Sequence, residues 1–256
     1  MAAFQEPMRT LILSDIHSNL TALEAVLAQA QEKYDQVICL GDIVGYGPDP
    51  NEVIARVRAL GPVAVVRGNH DKACCGISDA QDFNAVARVA AGWTREQLPP
   101  DNLAYLRQLD VGPVPVAGFQ IVHGSIRDED EYVFTPREAG ENLQLAEIPL
   151  TFCGHTHFQG GFALREGGRL EVLRVRIEPG VGFAEYAIAP GAKYLINPGS
   201  IGQPRDGDAS AGFAFYDHEK QLVEYWRVPY DIEATQKRMK AARLPDPLIA
   251  RLAAGR

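Results

Sequence analysis

The sequence predicts an α/β fold built on parallel βαβ units. Short apolar runs alternate with amphipathic helical segments through the first part of the chain. More strand-like runs follow from residue 119. Polar clusters flanked by glycine stand where the strands end, as they do at the ligand-binding edge of parallel sheets. Residues 10–14 (TLILS) read as the first buried strand. Asn19 has the character of an N-cap, and Leu20, Leu23, Val26, Leu27 and Ala30 follow at helical spacing. Residues 36–40 make the second strand. Asp49-Pro50 opens a second helix, with proline in the permitted first turn and a stripe of Val53, Ile54, Val57 and Leu60. Residues 62–66 make the third strand.

A helical stretch is expected from about Ser78 to Leu109. Phe83, Val86, Ala87 and Ala90 mark one face, Pro99-Pro100 interrupts it, and Leu103, Leu106 and Leu109 continue it. Residues 119–122 and 150–153 return to strand. Gly167-Gly168 reads as a hairpin turn between residues 162–165 and 170–173. Residues 194–196, 213–216 and 223–226 are further strands, and the tail from Asp231 is helical until Leu244-Pro245. There is no repeat, low-complexity segment or long linker. The expectation is one domain over residues 1–256, with a helical insert at about 78–110 and C-terminal strands and helix at about 193–256.

A chain of 256 residues with 46% apolar residues can build a sizeable core. Its formal net charge of −8 gives no bulk attraction to nucleic acid or anionic membrane. Residues 1–7 lack the basic and apolar regions of a secretory leader, and no apolar run approaches membrane-spanning length. Cys39, Cys74, Cys75 and Cys153 do not form a disulfide framework and read as buried or incidental thiols. A cytoplasmic location fits these features.

The chemistry lies in the clusters at the strand ends. These are Asp15-Ile16-His17, Gly41-Asp42, Gly68-Asn69-His70-Asp71, His123-Gly124 and Gly154-His155-Thr156-His157. Five of the six histidines fall in them; His218 does not. Singly, each has an ordinary reading: a hydrogen-bonded structural imidazole, an N-cap or a turn. Five at matching strand ends make coincidence a poor explanation. Imidazole, carboxylate and amide oxygen together suit borderline divalent metals rather than a thiolate site. Asp15, His17, Asp42, Asn69, His123, His155 and His157 provide enough ligands for a metal pair with a bridging carboxylate. His70 is left over beside a ligand, free to move protons.

As a set, these motifs resemble the calcineurin-like metallophosphoesterase superfamily. Its pattern of Asp-x-His, Gly-Asp, Gly-Asn-His-Asp/Glu, a later His and Gly-His-x-His is present in order from Asp15 to His157. The resemblance implies a four-layer α/β/β/α sandwich, here with a helical insert. It implies that Asp15, His17 and His157 hold one ion, that Asn69, His123 and His155 hold the other, and that Asp42 bridges. His70 is then the acid that protonates the leaving group or steadies the phosphoryl oxygens. Two divalent transition-metal ions are implied, manganese first, with iron, zinc, nickel or cobalt as alternatives. The reaction is hydrolysis of small phosphate esters by a metal-activated hydroxide. Arg67 and Arg205 are candidate phosphate clamps, weighed against ordinary surface ion pairs.

The run Gly41-Asp42-Ile43-Val44-Gly45-Tyr46 lacks the Asp-Arg pair usual in the protein phosphatases and dinucleoside tetraphosphatases, and Asp71 stands where those carry Glu. Asn197-Pro198-Gly199-Ser200 is similar to the small bacterial and archaeal phosphodiesterases. A phosphodiesterase is therefore expected, with a phosphoprotein or dinucleoside polyphosphate phosphatase as the alternative. A non-catalytic scaffold would have eroded ligands, and none of the seven is replaced. The insert, placed after the Gly68 turn, is either a lid over the site or a structural flank.

Overall fold

The computed structural model describes residues 8–178 and 180–256; the leader question at residues 1–7 lies outside the described residues. Two six-stranded mixed sheets pack face to face. The first contains β1 (Arg9–Leu13), β2 (Gln36–Cys39), β3 (Ala64–Val65), β9 (Phe183–Ala187), β11 (Ala211–Asp217) and β12 (Leu222–Val228), in the order β3-β2-β1-β11-β12-β9. The second contains β4 (Val114–Val116), β5 (Phe119–Ile121), β6 (Leu150–Phe152), β7 (Gly160–Leu164), β8 (Leu170–Arg174) and β10 (Lys193–Asn197), in the order β4-β5-β6-β10-β7-β8. Each has a parallel part, β3-β2-β1 at one end of the first sheet and β5-β6-β10 within the second.

Strand alternation sets the layers. Leu11, Leu13, Val37, Cys39, Phe213 and Phe215 face helices α1 (Leu20–Ala30) and α2 (Pro50–Leu60). Ile12, Ile38, Ala214 and Tyr216 point the other way, against Phe119, Ile121, Phe152, Tyr194 and Ile196 of the second sheet. The outer face of that sheet is covered by α6 (Pro136–Leu145) through Ala139 and Leu143. The result is the expected four-layer α/β/β/α sandwich. Asn19 caps α1 by accepting from the Ala22 amide at 3.2 Å, and α2 starts at Pro50.

Several elements differ from the sequence reading. A short helix, α3 (Asn69–Cys75), starts inside the Gly-Asn-His-Asp motif. The stretch expected from 78 to 109 is two helices, α4 (Ala85–Gln97) and α5 (Pro100–Arg107), and Phe83 precedes the Asn84 cap rather than lying on a helix. β9 and α6 were not anticipated. Proline 245 does not end the helical tail: α7 (Ile232–Ala241) is followed by α8 (Asp246–Ala254). Pro247 sits in the first turn of α8, where its missing N–H is harmless.

The insert is core as well as rim. Ala91, Leu98, Leu106 and Leu109 join the apolar cluster beneath the first sheet. Ala87 and Ala90 of α4 pack with Met239, Leu248 and Leu252 of α7 and α8. Only its first residues reach the site. All four cysteines are buried and free, and among the described residues no helix is long and apolar enough to cross a membrane.

Candidate metal centre

The parallel strands of the two sheets end on the same side of the sandwich, and all five sequence clusters meet there. Asp15 and His17 follow β1, Asp42 follows β2, Asn69 and His70 open α3 just after β3, His123 follows β5, and His155 and His157 follow β6. Asp15, His17, Asp42 and His157 form one group whose donor atoms lie within 4.8 Å of one another; Asp42, His123 and His155 form a second. Asp42 is common to both. One of its oxygens, Oδ2, lies 3.5 Å from His17 Nε2 and 3.4 Å from His123 Nε2. Asn69 Oδ1 is 3.4 Å from His123 Nε2, on the side of the second group. All the ligand side chains bar Asn69 are fully or almost fully buried.

The backbone is bent to achieve this. Asp15, His17, Asp42, His155 and His157 all have positive φ, between 49° and 66°. Left-handed backbone costs a non-glycine residue on the order of 1–2 kcal/mol. Backbone hydrogen bonds hold it in place: the Asp15 amide donates to Gly41 O (3.1 Å), that of His17 to Asp42 O (2.9 Å) and that of Gly202 to Asp15 O (2.9 Å). Gly68 allows a close approach to the carboxylate, because a Cβ there would lie 2.0 Å from Asp42 Oδ1.

The tautomers test whether the site fits cations. Backbone carbonyls engage one ring nitrogen of each histidine: His17 Nδ1 with Val44 O (3.2 Å), His123 Nδ1 with Leu40 O (2.7 Å), His157 Nδ1 with Gln203 O (2.6 Å), and His155 Nε2 with Asp130 O (3.0 Å). A carbonyl only accepts, so each of these nitrogens carries the proton. The other nitrogen of each ring faces inward: on His17, His155 and His157 it carries a lone pair, and on His123 it does so once that ring gives up its second proton. His17 Nε2 then faces His157 Nε2 at 3.0 Å, and His123 Nε2 faces His155 Nδ1 at 3.1 Å. Lone pairs so opposed, with two buried carboxylates, form a donor set for cations, oriented as metal-ligating histidines are by their outer partners.

The electrostatics agree. Burial opposes charge on His155, and the His123 charge adds to it, lowering His155 to about 3. Burial also lowers His17 and His157. On His123 burial is outweighed by the Asp42 carboxylate, and the ring is pushed up to about 10. Burial alone would raise Asp42 and Asp15; the surrounding imidazoles, chiefly His123 for Asp42 and His157 for Asp15, overcome it and hold both low. A cation would displace the proton from His123.

His70 stands apart from the ligands. Its amide donates to Asp42 Oδ1 at 2.9 Å, but its Nδ1 is buried against Gly45 with no partner among the described residues. Burial lowers it to about 4, so near neutrality it is an uncharged ring. It lines a cavity of about 170 Å³ with Tyr46, Asn69, Phe83, Tyr132 and His155. Tyr46 and Phe83 hold the His70 ring at centroid distances of 4.2 and 4.5 Å, and Tyr132 stacks on His155 at 3.7 Å.

This geometry separates the two arginines. The guanidinium of Arg67 forks on Glu129 at 2.8 and 2.9 Å. This is the ion pair weighed against a phosphate clamp, and it ties Arg67 to the loop that carries Asp130 and Tyr132. Arg205 lies at the site, with Nη2 donating to the Tyr46 hydroxyl at 3.3 Å.

Sequence reasoning gave no role to Asp71, whose Oδ1 accepts from the Val44 amide (3.1 Å) and Oδ2 from that of Gly68 (3.0 Å). The Asn-Pro-Gly-Ser block is structural support: Ser200 Oγ donates to Asp15 O at 2.8 Å and Asn197 Nδ2 to Gly154 O at 2.7 Å. Tyr46 and Tyr132 carry no motif and emerge only from the fold.

The sequence profile of the calcineurin-like phosphoesterase superfamily domain matches residues 8–221. This chain belongs to that superfamily. It is 35% identical over 251 residues to an uncharacterized protein of Methanocaldococcus jannaschii, covering 96% of this chain and 97% of that one. The crystal structure of a metallophosphoesterase from Sphaerobacter thermophilus is 42% identical, with a TM-score of 0.83, covering 98% of this chain and 100% of that one. A shorter similarity, 45% over 67 residues, links 25% of this chain to 24% of the symmetrical bis(5′-nucleosyl)-tetraphosphatase of Erwinia tasmaniensis.

Proposed function

We propose that the protein is a metal-dependent phosphodiesterase acting on small phosphate esters. The observation that carries this is the single carboxylate, Asp42, shared between two histidine-rich groups whose lone pairs converge. Asp15, His17 and His157 would hold one divalent ion and Asn69, His123 and His155 the other, with manganese the first candidate among the transition metals. When bound, such a pair supplies Lewis acidity, ionising water near neutral pH and neutralising phosphoryl oxygens. The chain's own residues do the rest. Val44, Leu40, Gln203 and Asp130 carbonyls keep the ligand rings in one tautomer. His70, uncharged and edge-on to His17 (87° between planes), is placed to donate to a phosphoryl oxygen. Tyr46, Phe83 and Tyr132 narrow the cavity and exclude water. The missing Asp-Arg pair after Gly41-Asp42 favours diesters over phosphoproteins. A cytoplasmic location fits the four free cysteines.

A second reading, a dinucleoside polyphosphate hydrolase, draws on the 67-residue similarity to the tetraphosphatases. It also draws on the half-exposed Tyr132 and Phe134, stacked at 5.3 Å beside His155, where a base can lie. The deciding experiment is turnover by manganese-loaded protein of bis(p-nitrophenyl) phosphate, p-nitrophenyl phosphate, a dinucleoside tetraphosphate and a phosphoserine peptide. A higher kcat/KM on the diester than on the peptide is expected; the reverse order would overturn the diesterase reading.

A further inference from the structure

We infer that Arg205 and Arg251 together form an anion subsite that receives a second phosphoryl group of the substrate, next to the scissile one. This rests on the phosphoesterase reading and names its substrate class: di- or oligophosphate-linked esters. Arg251 projects from α8, far from every motif of the site, yet its Nη1 lies 3.4 Å from Gln203 Oε1. Arg205 donates to that same oxygen from Nη2 at 3.0 Å. Two guanidinium groups thus share one neutral acceptor. Among the described residues neither makes an ion pair, and the neighbouring Asp206 is taken by Arg227. Cations gathered without a carboxylate are unusual, since like charges repel and half-buried ones lose hydration.

Gln203 couples this pair to the metal centre. It is 1% exposed, its main-chain carbonyl engages His157 Nδ1 at 2.6 Å, and its Nε2 has no partner among the described residues. The arginines are also close to the reacting edge. Arg205 Cζ lies 5.7 Å from the centroid of the Tyr46 ring, and that ring is 4.6 Å from His17 and 4.2 Å from His70. One aromatic ring separates the two places, a span that a short phosphate chain covers. The fold builds α8 into this position: Leu248, Ile249 and Leu252 pack in the cluster that contains Tyr46, and the Gly207 amide donates to Gly255 O at 3.0 Å. A phosphoryl group would satisfy both guanidinium groups at once, in the fork geometry that arginine favours.

The test compares wild type, Arg251→Ala and Arg251→Lys as manganese-loaded proteins of matched metal content. Binding of methylenediphosphonate and methylphosphonate is measured by calorimetry, and turnover of a dinucleoside triphosphate and bis(p-nitrophenyl) phosphate by product release. Wild type should prefer the diphosphonate. Arg251→Ala should shrink that preference, and the triphosphate-to-diester ratio of kcat/KM, by about tenfold or more, the size of one charge-assisted hydrogen bond. Lysine should restore part of it. An unchanged preference in Arg251→Ala, or an equal weakening of both probes, overturns the subsite. If no ester is turned over but the preference is lost in the variant, the hydrolase reading falls and the subsite stands. If Arg251→Ala fails to fold, Arg251→Gln replaces it in the same comparison.

Discussion

Stripping the metal with a chelator and raising the pH from 7 to 9 should destabilise the protein by about 2.5 kcal/mol. The figure is the His123 part. In the fold Asp42 outweighs burial and pushes this imidazole from 6.5 up to about 10. A proton held more tightly when folded stabilises the fold fully below the unfolded value of 6.5 and loses its effect as the pH rises through 10. Between pH 7 and 9 the folded ring keeps most of its proton while the unfolded one has lost it. At about 1.4 kcal/mol per pH decade, that interval removes ~2.5 kcal/mol. The four thiols, raised by burial from 9.0 in the fold, add to the loss in the same direction toward the top of the window, at about 0.4 kcal/mol each; the difference between wild type and Asp42→Asn isolates the His123 part. Asp71, pushed up to about 7 by burial and by Asp42, bears only on the window's lower edge. Urea unfolding followed by Trp93 and Trp226 fluorescence measures the slope. Asp42→Asn should lose most of the His123 part, and manganese should abolish that part in wild type. Stability that is flat or rising from pH 7 to 9 in the chelated wild type would refute this account of the centre, as would an undiminished slope in Asp42→Asn.

Elemental analysis should find two metal ions per chain, and a ceiling of one would defeat the paired site. His70→Ala should keep both ions and lose about two orders of magnitude in kcat, the usual size of such a contribution. The loss should be similar for good and poor leaving groups if the uncharged ring steadies a phosphoryl oxygen; a loss confined to poor leaving groups would make it the leaving-group acid. Gly68→Ala should lower metal content sharply, because the added methyl meets Asp42 Oδ1 at 2.0 Å. Leu106→Ala should cost about 2–5 kcal/mol in urea unfolding, as expected of a fully buried leucine, and replacing residues 80–108 with a Gly/Ser loop should unfold the protein.

The ligands were legible in the sequence because each sits in a short linear motif at a strand end, where position follows from one local rule. The strands themselves were legible as apolar runs. Helix α3 was not, since its seven residues have no apolar stripe and begin inside a motif that reads as a turn. Helix α6 did have a signal, the Thr135–Glu138 capping box with Pro136 in its first turn, which periodicity does not report. Proline at 245 looked like a stop, although Asp246-Pro247 starts another helix. The arginines mark the true limit. Arg67 and Arg205 look alike in sequence, and only the presence of Glu129 beside one and Tyr46 beside the other separates them. Arg251 and Tyr132 owe their places to contacts made far along the chain.

The left-handed backbone at five of the ligands has a bearing on metal choice. A site on relaxed loops adapts like a glove to whatever enters, and affinity then follows the intrinsic order of the ions. Here the loops behave as a casting mould: backbone hydrogen bonds between the segments that follow the strands hold their shape. An ion of the wrong radius must work against the whole sheet edge rather than one side chain. Discrimination among manganese, iron, cobalt, nickel and zinc should therefore be mechanical in origin, set by how stiffly β1, β2 and β6 resist being pried apart.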